Sequence, residues 1–346
     1  MKFLKDYLNP QTVGDPTIFI FSFPTGTVWS RLKAHTEAIR FNALAQSTQK
    51  NLLTHYRSYL LFCVYFGLQH IPVDEENLLV YITFLSKSLS SPSSVKNYVY
   101  GIQTLAKLKG WNFPDLKSPR FQFQFKGIAR LLLHTVQRAH PLSPPIFLKL
   151  LHFIDLSNSY EATMWAIMIV GFLMFARIGN LLPSTRTFDR EKQLTRGDVR
   201  VAADAVVVTV KWTKTIQTRQ RVLTLPLYAS PDSPLCPKKC LLRLAKLAPA
   251  SNSHHLFSYK SHSGLSVILQ SEFIRFLRSR LSMAGFNPDK FSGHSLRRGG
   301  ATWAFASGVS SELIRNHGDW ASDAYLSYLD FSLKERLETT RLMMSL

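Results

Sequence analysis

Thirteen consecutive residues, Met164 to Ala176 ("MWAIMIVGFLMFA"), carry no charge. A helix that is apolar all round has to be buried all round. This one falls short of the ~20 residues that span a bilayer, and it ends directly on Arg177. It reads as a core helix around which other elements pack. With 346 residues and 46% hydrophobic content the chain can supply those elements, and a length of this order suggests about two domains, each with its own core.

The charge balance narrows the partners. Lys and Arg number 42 against 22 Asp and Glu, a formal net charge of +20, and the cations are spread along the chain and not gathered in one tail. A polyanion is the expected partner, nucleic acid ahead of any membrane. The N-terminus lacks the charged, apolar and small-residue succession of a secretory signal. Cys63, Cys236 and Cys240 are too few and too unevenly placed for a disulfide framework, which fits a reducing compartment. "CPKKC" offers two sulfurs and no second pair, so it reads as an ordinary segment and no metal is expected there.

Along the chain, residues 1–40 mix Pro, Gly and isolated aromatics without a sustained period and read as a leader. Two helices follow. In the first, Ser47 or Thr48 can cap, Leu52, Tyr56, Leu60 and Cys63 form the apolar stripe, and Gly67 ends it. In the second, Val95, Val99, Ile102 and Leu105 form the stripe and Gly110 ends it. The opposite faces carry Lys50, Thr54 and Arg57 on one helix and Lys96, Tyr100, Gln103 and Lys107 on the other. Each is a solvated face or a DNA-contacting one. "FKGIARLLLHTVQRAHPLSPP" reads as a basic connector, which places a helical domain at 41–138 and a second domain at 139–346. In the second, the β-branched runs of 198–227 predict three short antiparallel strands. Helices are expected near 237–247, 268–284, 294–307 and 310–317, with a closing tail from 321. The fold class expected is mainly α with a small antiparallel β-sheet.

Several positions in the second domain could carry chemistry. Arg177 closes an apolar helix, where a charge is costly unless it meets an anion; it can also cap its own helix C-terminus. Lys214 lies in the turn between the second and third strands. His294 and Arg297, three apart, share one face at a helix N-terminus, where the backbone dipole adds positive character. Gly299 and Gly300 permit another backbone to pack close. Tyr325 and Tyr328 follow a Gly-Asp-Trp turn. Taken singly each is more often structural, but two arginines, a histidine and a lysine together supply donors for a phosphodiester, and a tyrosine supplies a nucleophile.

On these residues the sequence resembles the tyrosine recombinases and phage integrases, with Cre-like enzymes close in pattern, and it looks most like the recombinases of eukaryotic DIRS, Ngaro and Crypton mobile elements. "GHSLRRGGATWAFASGVSSELIRNHGDW" resembles the family's H-x-x-R box and "TKT" its lysine segment, and the resemblance spans about residues 45–340. It implies an N-terminal helical core-binding domain and an α+β catalytic domain. Carried over, the conserved roles of the family fall on Arg177, Lys214, His294, Arg297, Trp320 and Tyr328, the last being ten residues after Gly318; Tyr325 comes too early. Arg298 is expected on the DNA backbone or a carboxylate. Two departures stand out. Asn180 replaces the acidic buttress usual three residues after the first arginine, and Asp319 follows Gly318 where His or Trp is usual. A one-residue gap restores Trp320 and leaves Asp319 as a turn residue.

The resemblance implies site-specific recombination of double-stranded DNA through a 3′-phosphotyrosine, without metal or other cofactor. It also implies homo-oligomers, four protomers in a synapse, with a tail whose Phe331, Leu333, Leu337 and Leu342 could dock on a neighbour, and action in the nucleus of a eukaryotic host or otherwise beside the DNA in the cytoplasm. A type IB topoisomerase and a domesticated, inactive DNA-binding protein remain alternatives.

Overall fold

The computed structural model describes residues 26–135, 137–216, 220–328 and a few positions of the tail (337, 340, 341, 343 and 344). Phe331, Leu333 and Leu342 lie outside the described residues; Leu337 is exposed. The chain divides into two compact units, one up to residue 136 and one from 137 on.

The first unit is helical: α1 (Gly26–Asn42), α2 (Gln46–Tyr65), α3 (Glu75–Ser88), α4 (Pro92–Lys109) and α5 (Pro119–Leu131). Local chemistry sets several of these ends. Asp74 caps α3 by accepting from the Asn77 N–H, proline sits in the first turn of α4 and of α5, and Gly110 ends α4 at φ +71°. Tyr59, Phe62 and Cys63 of α2 pack with Leu78, Tyr81 and Ile82 of α3, Val99 and Ile102 of α4, and Phe121 and Phe125 of α5.

Three expectations need correction here. Residues 26–42 are a helix and not an irregular leader; most of α1 is exposed, so it has no apolar stripe to read. The start of the expected connector belongs to α5, whose Phe121, Phe125 and Ile128 enter the core. On α2 the buried residues are Leu52, Tyr59, Phe62 and Cys63. Tyr56 is only half-buried and turns to the Trp111 ring, 5.4 Å away.

The second unit is built around the apolar run. Asn158 caps α7 (Ser159–Leu173), following α6 (Pro144–Leu151), and every residue from Ala162 to Phe172 is buried. Each large side chain taken from water there contributes roughly 1.5–3 kcal/mol before entropy is counted. Against α7 lies α9 (Pro237–Leu247), preceded by the antiparallel sheet β1 (Val199–Val201), β2 (Ala205–Val210) and β3 (Leu223–Tyr228), in that order, with Val208 opposite Leu225. A second hairpin, β4 (Ser258–Ser261) with β5 (Gly264–Val267), was not expected: its strands are largely polar and only its turn glycine, at φ +110°, marks it. Helices α10 (Gln270–Met283), α11 (His294–Ala306) and α12 (Ser311–His317) and a 3₁₀ turn at Asp323–Tyr328 complete it. The fold is thus mainly α with a small antiparallel sheet. Among the described residues no helix is long and apolar enough to cross a membrane.

The core helix expected to run on to Arg177 stops short of it. α7 stops at Leu173, Phe175 takes φ +47°, and Arg177 becomes the N-cap of a separate four-residue helix, α8 (Ile178–Leu181). Arg177 therefore does not cap the C-terminus of the apolar helix.

Candidate active site

Arg297 lies one turn into α11 and is only 2% exposed. A buried guanidinium must be compensated, and here two backbone carbonyls contribute. One η nitrogen donates to the Phe175 oxygen at 2.6 Å and the other to the Gly318 oxygen at 2.8 Å. The indole of Trp320 covers the cation, with the guanidinium carbon 3.7 Å from the ring centroid. Both carbonyls come from helix exits, Phe175 after α7 and Gly318 after α12, so the arginine ties three helices together. The Nε–H is buried without a hydrogen-bond partner among the described residues.

This close seating requires glycine on α11. A Cβ on Gly299 would stand 1.9 Å from the Leu142 carbonyl oxygen, and one on Gly300 2.3 Å from that of Phe172. The backbone approach expected of these two glycines is therefore observed.

Arg177 is half-buried and lines one cleft with Asn180, Thr213, Arg297 and Asp319. The Asn180 N–H donates to the Arg177 carbonyl at 2.8 Å. Burial, and next the Arg177 cation, lower the proton affinity of the Arg297 guanidinium. His294, the first residue of α11, is also lowered, by partial burial first and then by the Arg177 and Arg297 cations. Its neutral form is favoured and can accept a proton. The three groups form a site of accumulated positive character, a condition that an arriving anion relieves.

Tyr328 ends the 3₁₀ turn, half-buried, and His294, Arg298 and Tyr328 line a second cleft together with Arg138. Its ring lies 5.6 Å from that of Trp320 and 5.8 Å from the Arg297 guanidinium carbon. Two bonds fix the backbone here: Thr302 Oγ1 donates to the Tyr328 carbonyl at 2.6 Å and Arg138 to that of Ser327 at 3.0 Å. Tyr325, by contrast, is core, buried with Phe175, Ala301, Ile314 and Trp320. Arg298 is buried beside Arg297.

Lys214 is exposed in the loop between β2 and β3. Lys211, the other lysine of that segment, is paired with Asp198 at 2.6 Å. Asp319 needs correction: it is a buried carboxylate that accepts from Thr213 Oγ1 at 2.6 Å, from Thr215 Oγ1 and from Arg221, and not merely a turn residue. His317 has no signal of its own in the sequence, yet its Nε2 lies 2.7 Å from the Leu173 carbonyl at the end of α7. The adjacent Gly318 is the only pointer to it.

The structure thus brings Arg177, His294, Arg297, Trp320 and Tyr328 into one neighbourhood. The candidate DNA contacts of the first unit form no such cluster. Lys50, Thr54, Arg57, Lys96, Tyr100 and Lys107 are exposed on α2 and α4, and Gln103 is half-buried. Lys96 Nζ and the Tyr100 ring both lie against Phe125 of α5, at 5.5 and 6.2 Å. Among the described residues no three of His, Cys, Asp and Glu are grouped to hold a metal ion.

No family model and no curated protein matches the sequence. Solved structures do match. A Tn1549 transposon integrase in complex with transposon right end DNA aligns over 91% of this chain and 98% of its own, at 13% identity and a TM-score of 0.63. A lambda integrase fragment, a dimer bound to a COC′ core site, aligns over 87% and 95% at 14% identity with a TM-score of 0.55. The XerH site-specific recombinase in a post-cleavage complex with palindromic difH substrate aligns over 78% and 70% at 17% identity with a TM-score of 0.55. The chain has the fold of the tyrosine recombinases and integrases.

Proposed function

We propose that the protein is a site-specific DNA recombinase that cuts and rejoins strands through Tyr328. The observation that carries this reading is the buried Arg297, covered by Trp320 and set beside Arg177, His294 and Tyr328. In the proposed step the Tyr328 oxygen attacks a DNA phosphorus and His294 accepts its proton. The bond to the 5′ oxygen breaks, leaving a 3′-phosphotyrosine and, once Lys214 has protonated the leaving oxygen, a free 5′-hydroxyl. Arg177 and Arg297 bind the non-bridging oxygens where negative charge grows. The ester energy is kept in the phosphotyrosine, so attack by another 5′-hydroxyl rejoins DNA without a nucleotide cofactor.

The partner is double-stranded DNA. The +20 charge supports it, as do the DNA complexes formed by proteins of the same fold. Lys50, Thr54, Arg57, Lys96, Tyr100, Gln103 and Lys107, with Arg298, are proposed as groove and backbone contacts. Exchange between two sites calls for four protomers in a synapse. Origin in a mobile element is supported by the resemblance of the box at 293–320 to transposon recombinases, and action in the nucleus follows for a eukaryotic host.

The test is covalent trapping on a pool of nicked duplex fragments, where loss of the short piece past the nick prevents religation. The wild-type protein should become covalently linked to a subset of fragments and Tyr328→Phe to none. Equal adduct from both proteins contradicts the reading.

A further inference from the structure

Asp319 stands between two residues that hold Arg297: Gly318, whose carbonyl accepts from it, and Trp320, whose ring covers it. Its backbone is left-handed at φ +54°, a conformation Asp tolerates better than most residues. In this pose the side chain, only 6% exposed, reaches the β2–β3 loop. One carboxylate oxygen accepts from Thr213 Oγ1 at 2.6 Å and from Thr215 Oγ1, and the other accepts from Arg221 where the chain returns toward β3. The two hydroxyl oxygens stand 2.9 Å apart, and the Thr215 N–H donates to Thr213 Oγ1 at 3.1 Å. Lys214 is the residue between them. These bonds join positions about a hundred apart in sequence, and both oxygens of the carboxylate are committed to a single loop.

We propose that Asp319 is a positioning residue that latches the lysine-bearing β2–β3 loop to the Gly318–Trp320 turn, so that Lys214 is held in register with the groups around Arg297. A lysine on a free loop would spend most of its time away from the leaving oxygen, and general acid catalysis needs the donor within hydrogen-bond reach. The two threonines anchor the loop on either side of the lysine, and Arg221 balances the carboxylate charge. The catalytic part of this inference rests on the recombinase reading above; the latch itself does not.

Two measurements test it on the full chain. Amide hydrogen exchange should rise at residues 211–216 and 220–222 in Asp319→Ala by roughly tenfold or more, because the loop loses hydrogen bonds to a charged group. Exchange in α11 should stay as in the wild type, and Lys214→Ala should leave the loop protected. Thr215→Val, which removes one donor and keeps the carboxylate, should give a smaller rise in the same segment. Unchanged loop exchange in Asp319→Ala, or a rise spread over the whole unit, overturns the latch.

The second measurement is the rate of adduct formation on fragments that trap the wild type. Lys214→Ala should be slowed by about 10² to 10⁴ and Asp319→Ala by a comparable factor, the double variant being no slower than Lys214→Ala. With sulfur in place of the bridging 5′ oxygen the leaving group needs no proton, and both single variants should recover while Arg297→Ala stays slow. Asp319→Ala remaining slow on the sulfur substrate overturns its action through Lys214. A wild type that traps no DNA refutes the recombinase reading and this catalytic role with it, and loop exchange still decides the latch.

Discussion

The two units use positive charge in opposite ways. On α2 and α4 the cations stand in solvent: Lys50, Arg57, Lys96 and Lys107 are exposed and cost little to place there. At the starts of α8 and α11 the cations are drawn out of water. Arg297 is buried, Arg177 half-buried, and both lower the proton affinity of His294. Solvated charge provides attraction that salt screens. Buried charge held by carbonyls and an indole provides a fixed geometry and a stronger field. On the proposed function, long-range capture of DNA and chemistry at one phosphate would belong to different parts of the chain, and the difference can be measured.

Among changes to the buried charge and its surroundings, the largest effect should come from Arg297. Arg297→Ala removes the group proposed to bind the reacting phosphate and should slow adduct formation by roughly 10² to 10³, with DNA affinity little changed. Arg297→Lys should not restore the rate, since an ammonium cannot reach the Phe175 and Gly318 carbonyls and a phosphate together. An affinity loss as large as the rate loss would erase the distinction between the units.

Next in size is the packing that seats the arginine. Gly299→Ala places a methyl against the Leu142 carbonyl and should destabilise the second unit by about 1–3 kcal/mol, read by thermal or urea unfolding. Wild-type stability would mean that the α11 packing is looser than the geometry indicates.

His294 gives a pH signature. Its pKa is lowered from 6.5, so the neutral, proton-accepting form persists on moving down from neutral pH. The acid limb of kcat/KM, which reports the free protein, should lie below 6.5 and vanish in His294→Ala. Asp319 titrates on the same side. Burial raises its pKa, but the bonds from Thr213, Thr215 and Arg221 outweigh that, and the net shift is downward from 3.8. With the folded value below the unfolded one, the latch contributes fully above the ordinary value and is lost only as the pH falls through the lowered one. Loop protection should thus be constant through the His294 limb.

The smallest single effects are expected on the exposed faces. Lys50→Ala with Lys107→Ala should weaken DNA binding a few-fold and flatten the slope of log affinity against log salt by about 0.9 for each phosphate that is no longer neutralised. Adduct formation at saturating DNA should be unchanged.

What the sequence made legible follows from the same physics. The run at 164–176 is legible because it is apolar on every face, the strand β2 and the stripe of α4 carry a period that burial imposes, and α9 and α11 begin and end close to where their patterns do. The site could be outlined because His294 and Arg297 are close in sequence and share one helix. Features without a local signature stayed hidden. α1 buries too little to show a stripe, and β4 and β5 are four residues each with little buried surface. The break after α7 depends on a non-glycine residue, Phe175, held at positive φ while its carbonyl receives Arg297 from 122 residues away. Asp319 looked like a turn residue because its partners lie far back in the chain, at Thr213, Thr215 and Arg221.

The most direct test of the division between capture and chemistry is to digest the trapped adduct and find which residue carries the DNA. Phosphate on Tyr328, half-buried beside Arg297 and Trp320, is the predicted result, with Tyr325→Phe still forming the adduct. Phosphate on Tyr325, which is buried in the small core, or on any tyrosine of the first unit, would contradict it.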